Sequence, residues 1–268
     1  MSDGTIDALL RRDRVIVCVA LAVLVAAASL YLVHLSREMP AMVGADMPGM
    51  PGMAMPAMYE WRWVEVGALG IMWAVMMIAM MTPAAAPMIL TFAAVHRRRA
   101  EDRRPAVPTA VFVLGYFVVW TAFSAVAAFG QSALHAAALL SPQMTAESPL
   151  LGGVVFVVAG IFQWTPLKRT CLNLCRSPLS FVMGRWREGH AGAFVMGLRH
   201  GLYCLGCCWA LMALLFVAGV MNLVWVAVIA IAVLVEKALP NGDLVGRIAG
   251  VALVIAGAWL AARVLLAV

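Results

Sequence analysis

One histidine and three cysteines lie close together in an otherwise apolar stretch of this sequence. They are His200, Cys204, Cys207 and Cys208, between Arg199 and Trp209. On a helix that advances about 100° per residue, the three thiols lie at about 40°, −20° and 80° from the imidazole. All four side chains therefore share one helix face. Thiolates with imidazole are the ligand set expected for Cu(I) or Zn(II), so this face is a candidate metal site.

A second pair of thiols, Cys171 and Cys175, follows Pro166. If the residues after the proline are helical, the two thiols lie one turn apart on the same face. Basic side chains flank the pair and would stabilise thiolates by their charge. Thiolates suit metal ligation and thiol–disulfide exchange equally, so the pattern leaves both chemistries open.

A methionine-rich segment extends from Met39 to Met58, with seven methionines, four prolines and three glycines. That much proline and glycine argues against a helix or strand, so a buried core does not explain the sulfurs. Thioether sulfur is a soft, neutral ligand that selects Cu(I). We therefore predict metal capture by Met47, Met50 and Met53. The alternative is a low-complexity spacer that dips into the membrane interface.

A methionine stripe follows, in which Met72, Met76 and Met80 form one i, i+4 ridge. Pro83 and Pro87 lie just beyond it and predict a kink that frees backbone carbonyl groups. A stripe of sulfurs with a kink suggests a path for a soft ion. Ordinary packing of methionine between helices is the alternative.

These candidate ligands lie in a chain whose composition excludes a water-soluble fold. Of its 268 residues, 65% are hydrophobic and 12% are charged, and the mean hydropathy is +0.96. Globular proteins are roughly 45–50% apolar and about 25% charged. The sequence therefore predicts an all-α polytopic membrane protein. Its basic residues form short clusters between apolar runs, which is typical of membrane topology and not of nucleic-acid binding.

Uncharged runs near the roughly 20 residues that cross a bilayer predict seven spans, with six as the alternative. The spans are about 14–35, 64–95, 109–130, 150–167, 192–220, 223–239 and 247–268. The uncharged run from His200 to Val235 is too long for one crossing, so it is divided near Gly219 to Asn222, where glycine and asparagine suit a helix end. Nearly all the Lys and Arg residues in the loops fall on one side, which predicts a cytoplasmic N-terminus in a multi-pass protein of the bacterial inner membrane.

The predicted organisation has three parts. Residues 1–35 form an N-terminal anchor helix, residues 36–63 a Met/Pro/Gly-rich periplasmic loop, and residues 64–268 a transmembrane bundle that carries the Cys/His cluster. Within the bundle, Gly197, Gly201 and Gly206 would let another helix approach closely. Glu236 either extends to the cytoplasmic interface or serves as an interior counter-charge.

Three segments carry a resemblance to a known family. They are Trp73 to Pro87, Gln163 to Pro178, and Gly201 to Gly242 with its Cys204-Leu-Gly-Cys207-Cys208-Trp209 core. Together they resemble the bacterial predicted metal-binding integral membrane proteins over residues 70–245. The resemblance implies a membrane protein that binds metal, and it does not extend to the first span or the methionine loop.

The predicted function is binding of a soft metal ion, foremost Cu(I) with zinc second, for transport, delivery to a cuproenzyme or homeostasis. The expected partners are the lipid bilayer and a copper protein or cuproenzyme, without nucleic acid, and the oligomeric state is left open. An enzyme is the less favoured class, since no phosphate loop, nucleophile elbow or dinucleotide fingerprint is present. The alternatives are a membrane thiol–disulfide oxidoreductase coupled to quinone and a non-catalytic membrane assembly subunit.

Overall fold

The computed structural model describes residues 3–43, 63–99, 106–137, 149–220 and 222–266. Within these ranges all regular structure is α-helical, which confirms the all-α prediction. The helices are α1 (Asp3–Val43), α2 (Trp63–Arg99), α3 (Ala106–Ala136), α4 (Pro149–Phe162), α5 (Pro166–Arg176), α6 (Pro178–Gly184), α7 (Gly189–Ala213), α8 (Leu215–Ala218), α9 (Leu223–Ala238) and α10 (Gly242–Leu266). Met47, Met50 and Met53 lie outside the described residues.

Five stretches of helix are long and apolar enough to cross a membrane. They are Arg11–Arg37, Trp63–Arg99, Ala106–Ala136, Gly189–Ala218 and Gly242–Val264. Helices α4 and α5 meet at a 63° bend and make a sixth crossing if the pair is counted as one span. Helix α9 has 16 residues, fewer than the roughly 20 that a perpendicular crossing needs. The described helices thus give five or six candidate spans, and the seven-span topology and the orientation of the N-terminus stay predictions.

Helices α1 and α2 are both longer than the segments predicted for them. Helix α1 continues to Val43, so the predicted boundary at residue 35 falls inside a helix. Helix α2 is assigned as one element from Trp63 to Arg99 with Pro83 and Pro87 inside it. An ion pair between Arg97 and Asp13 joins the end of α2 to the beginning of α1.

Glycines set the distance between α3 and α7. A Cβ at Gly197 would collide with the carbonyl oxygen of Phe112, and a Cβ at Gly115 would collide with that of Phe194. A Cβ at Gly201 would lie 2.9 Å from the Val119 side chain. The predicted close helix approach at Gly197 and Gly201 is therefore what the structure shows, and it brings the Cys/His face of α7 against α3.

A second glycine-lined contact joins α4 to α10. A Cβ at Gly153 would lie 2.8 Å from the Gly257 carbonyl oxygen, and one at Gly160 would lie 2.7 Å from the Gly250 carbonyl oxygen. The pairing runs antiparallel, since the earlier residue of α4 faces the later residue of α10. Small residues allow such close backbone packing, which is the usual way apolar helices associate in a membrane.

The helical conformation is interrupted between α8 and α9 at the predicted point. Gly219 has φ +88°, a left-handed conformation that glycine adopts without strain. The Asn222 side chain then caps α9, because its Oδ1 accepts hydrogen bonds from the backbone of Val224 at 3.2 Å and Trp225 at 3.5 Å. This break starts α9, which carries Glu236 to Lys168 of α5 and Lys237 to the Cys204 thiol of α7.

Candidate metal centre

The predicted Cys/His face of α7 points into the core. His200, Cys204, Cys207 and Cys208 are each no more than 2% exposed. The helical period alone predicted that these side chains share a face, and the close contact of α7 with α3 explains why that face is buried.

The two thiols of α5 reach the same cluster. The Cys175 and Cys207 side chains lie close enough to interact. Cys171 lies against α7 at Gly206, where an added Cβ would be only 2.8 Å from the Cys171 sulfur. The glycine predicted to allow close approach thus accommodates a candidate ligand, and thiols from two helices meet in one place.

Within α7, the thiols of Cys207 and Cys208 both turn back toward Cys204. Their sulfur atoms donate hydrogen bonds to the Cys204 carbonyl oxygen at 3.0 and 2.9 Å. The Cys208 side chain also lies close enough to those of Cys204 and Cys207 to interact with both. The three sulfurs therefore form one contiguous group.

The Cys204 sulfur is held by polar groups from two other helices. The Lys237 ammonium of α9 donates to it at 2.9 Å. The Tyr116 hydroxyl of α3 lies 3.2 Å from the same sulfur and donates to the Met81 carbonyl oxygen of α2 at 3.2 Å. A half-buried ammonium beside a sulfur stabilises a thiolate, the form of cysteine that binds metals.

His200 has no hydrogen-bond partner on either ring nitrogen among the described residues. Its ring lies 5.4 Å from that of Tyr116, 5.9 Å from that of Phe181 and 6.2 Å from that of Phe112, measured between centroids. Burying a polar group without a partner costs free energy, so such a group in a native core calls for a function. A neutral imidazole in this state is free to act as a metal ligand.

A buried ion pair lies beside the thiols. The Lys168 ammonium is 2.7 Å from Glu236 Oε2, both side chains are nearly inaccessible, and the same ammonium donates to Gln163 Oε1. Of the two predicted roles of Glu236, the interior counter-charge is therefore the one that the structure shows. The contact of Lys237 with Cys204 was not predicted, although an ionisable residue inside an apolar helix marks a functional site by default.

The methionine stripe of α2 is buried in the same core. Met72, Met76 and Met80 are between 1% and 4% exposed. Their helix is linked to the thiols through Tyr116, which contacts both the Met81 carbonyl oxygen and the Cys204 sulfur. Burial agrees with a path for a soft ion and equally with packing, the two interpretations that the sequence left open.

The placement of the candidate ligands gives no support to zinc, the second metal predicted from the sequence. Among the residues that the structure describes, no three His, Cys, Asp or Glu side chains are placed to hold one ion. Structural zinc sites are almost always four-coordinate, so zinc gains no support here. A pair of soft thiolates suffices for Cu(I), and the donors that cluster in this core are soft sulfurs with one imidazole.

Comparisons with known proteins agree with copper. A family model described as "PpoB2: Copper chaperone" matches residues 70–260. The matched region contains the stripe of α2, the thiols of α5 and the Cys/His face of α7, and it leaves out the methionine loop. No curated protein and no solved structure matches the chain.

Proposed function

This chain belongs to the copper chaperone family, and from that premise we propose that it binds Cu(I) in the core of a membrane-embedded helix bundle and delivers it to a copper protein. Five apolar helices long enough to cross a bilayer support the membrane location, for which the bacterial inner membrane is proposed. The proposed cargo is the Cu(I) ion, and the proposed recipient is a cuproenzyme or another copper protein.

One observation carries the proposal, namely the meeting of Cys175 of α5 with Cys207 of α7 inside the core. Thiols that touch across two helices can donate to one metal ion without a large rearrangement. Soft sulfur selects Cu(I) among the available metals. The orphaned imidazole of His200, one turn from Cys204, offers a further donor of suitable chemistry.

The proposed path of the ion uses ligand exchange. The methionines of the loop, Met47, Met50 and Met53, capture Cu(I), and the stripe Met72, Met76 and Met80 offers neutral, weaker sites. The thiolates then bind more strongly because they add negative charge. At each transfer a bond to the incoming sulfur forms as a bond to the outgoing sulfur breaks, so the ion keeps its oxidation state.

Metal analysis of the purified protein tests the proposal. We expect about one copper per chain after anaerobic loading, and an affinity about tenfold or more lower in Cys175→Ser and in Cys207→Ser, as for loss of groups that support a metal site. Cys18→Ser is the matched control, because Cys18 is an exposed thiol on α1 outside the matched region. An unchanged Cu(I) affinity in a Cys204/Cys207/Cys208 triple serine variant would refute the proposal, because the methionines that remain are expected to bind more weakly.

A thiol–disulfide oxidoreductase is the second candidate, and the same contact favours it. The described cysteines are free thiols, and Cys175 touches Cys207. Oxidation of this pair would form one disulfide and pass two electrons and two protons to a quinone acceptor. Metal-free protein with a disulfide that can be titrated between these two residues would support this candidate over copper binding.

A further inference from the structure

We propose that Lys237 makes the thiol cluster, formed by Cys175, Cys204, Cys207 and Cys208, selective for a monovalent over a divalent soft metal ion. This inference rests on the proposed copper function. The ammonium of Lys237 occupies a fixed place in the cluster, 2.9 Å from the Cys204 sulfur. A positive charge held this close to a ligand atom becomes part of the charge balance of any metal that binds there.

Of the two lysines near the thiols, Lys237 is the one whose charge is not paired with Glu236. The neighbouring ammonium of Lys168 is already offset by Glu236, whose carboxylate lies 2.7 Å from it. The hydrogen-bond partner that the structure gives to Lys237 is the sulfur of Cys204. The Lys168–Glu236 pair is therefore neutral as a unit. In the part of the chain that the structure describes, no carboxylate forms an ion pair with Lys237, which thus adds one positive charge beside the thiols.

The expected selectivity follows from the net charge of each metal complex. A Cu(I) ion bound by two thiolates carries a net charge of −1, which Lys237 neutralises. A divalent ion on the same two thiolates is already neutral, so the ammonium remains in the core without a counter-charge. An uncompensated charge away from water is unfavourable, and the divalent complex bears the penalty.

The geometry bounds the size of the effect. A metal bound to Cys204 at about 2.3 Å lies within about 5 Å of the Lys237 nitrogen. One unit of charge at that distance, at the effective dielectric constant of about 20 that suits protein sites, changes the relative affinity by about two hundredfold. Solvent near the half-buried Lys237 reduces this, so we expect a change of about tenfold to a hundredfold.

Competition experiments on the purified full chain test the inference. Cu(I) affinity is measured against bathocuproine disulfonate, and Cd(II) affinity is measured from the thiolate-to-cadmium absorption. Relative to wild type, Lys237→Met should lower the ratio of Cu(I) to Cd(II) affinity by about tenfold or more. Lys237→Arg keeps the charge and should leave the ratio within about threefold.

A second variant guards against misfolding. Lys237→Gln keeps a hydrogen-bond donor near Cys204 but carries no charge, so it should show the same loss of selectivity as the methionine variant. If the methionine variant fails to fold, the glutamine variant decides. An unchanged ratio in a folded, copper-binding Lys237→Gln protein would overturn the inference and leave the copper function standing. A wild-type protein that binds no Cu(I) would overturn the proposed function itself.

Discussion

Replacing Glu236 with glutamine is expected to destabilise the protein by about 3 kcal/mol, because removing one partner of a buried ion pair leaves an uncompensated charge. The Lys168–Glu236 pair has a separation of 2.7 Å, with side chains 3% and 4% exposed. At an effective dielectric constant of about 20, the attraction at that distance is about 6 kcal/mol. Gln163 still accepts a hydrogen bond from Lys168, so we place the loss at the lower end of the about 3–5 kcal/mol typical of a broken buried pair.

The measurement is reversible unfolding of the purified protein in mixed micelles, followed by circular dichroism. Two controls separate the ion pair from general damage. The double variant Lys168→Met with Glu236→Leu removes both charges and should be more stable than the Glu236→Gln single variant. Asp243→Asn breaks the more exposed pair with Arg176, in which the carboxylate side chain is 44% exposed, and should change stability by less than about 1 kcal/mol.

The result that would refute this reasoning is a Glu236→Gln protein within about 1 kcal/mol of wild type, the range of a surface pair. Equal losses in the single and double variants would refute it as well, because the cost would then come from packing and not from an unpaired ammonium.

Two further predictions concern the elements that position the thiols. Gly197→Ala should lower the free energy of unfolding by about 1–3 kcal/mol, because the added Cβ would collide with the Phe112 backbone. The control is Gly130→Ala, where a Cβ meets nothing within 4 Å, and it should leave stability unchanged or raise it. Equal unfolding midpoints for the two variants would contradict the close contact of α3 with α7. Asn222→Ala should lower the free energy of unfolding by about 1 kcal/mol, because α9 loses its N-terminal cap. Asn222→Asp can still cap the helix and should keep most of that stability. An alanine variant as stable as wild type would show that the cap does not contribute to stability.

Much of the local structure could be predicted because it depends on short-range pattern. The helical period placed His200 and the three thiols of α7 on one face, and that face is buried. The sequence between Gly219 and Asn222 ended one helix and capped the next, since a positive φ suits glycine and a short amide side chain reaches the first free backbone N–H groups. The number of membrane crossings does not follow from such patterns, because an uncharged run such as that of α9 does not show whether its helix crosses a membrane.

The contacts within the candidate metal centre follow only from the tertiary structure. Cys175 and Cys207, Lys237 and Cys204, and Lys168 and Glu236 are far apart in the chain, and no periodic pattern relates one member of a pair to the other. Their contacts depend on which helices lie side by side and at what rotation. That arrangement follows from backbone packing at small residues such as Gly115 and Gly197.

The sequence by itself determined that this chain forms apolar helices with sulfur and imidazole side chains grouped on shared faces, because helical periodicity acts on neighbouring residues. Only the tertiary structure decided that the thiols of α5 and α7 touch and that a lysine from α9 lies against Cys204. The physical reason is that interhelical distance and rotation depend on the fit of whole helix surfaces, which no single segment specifies.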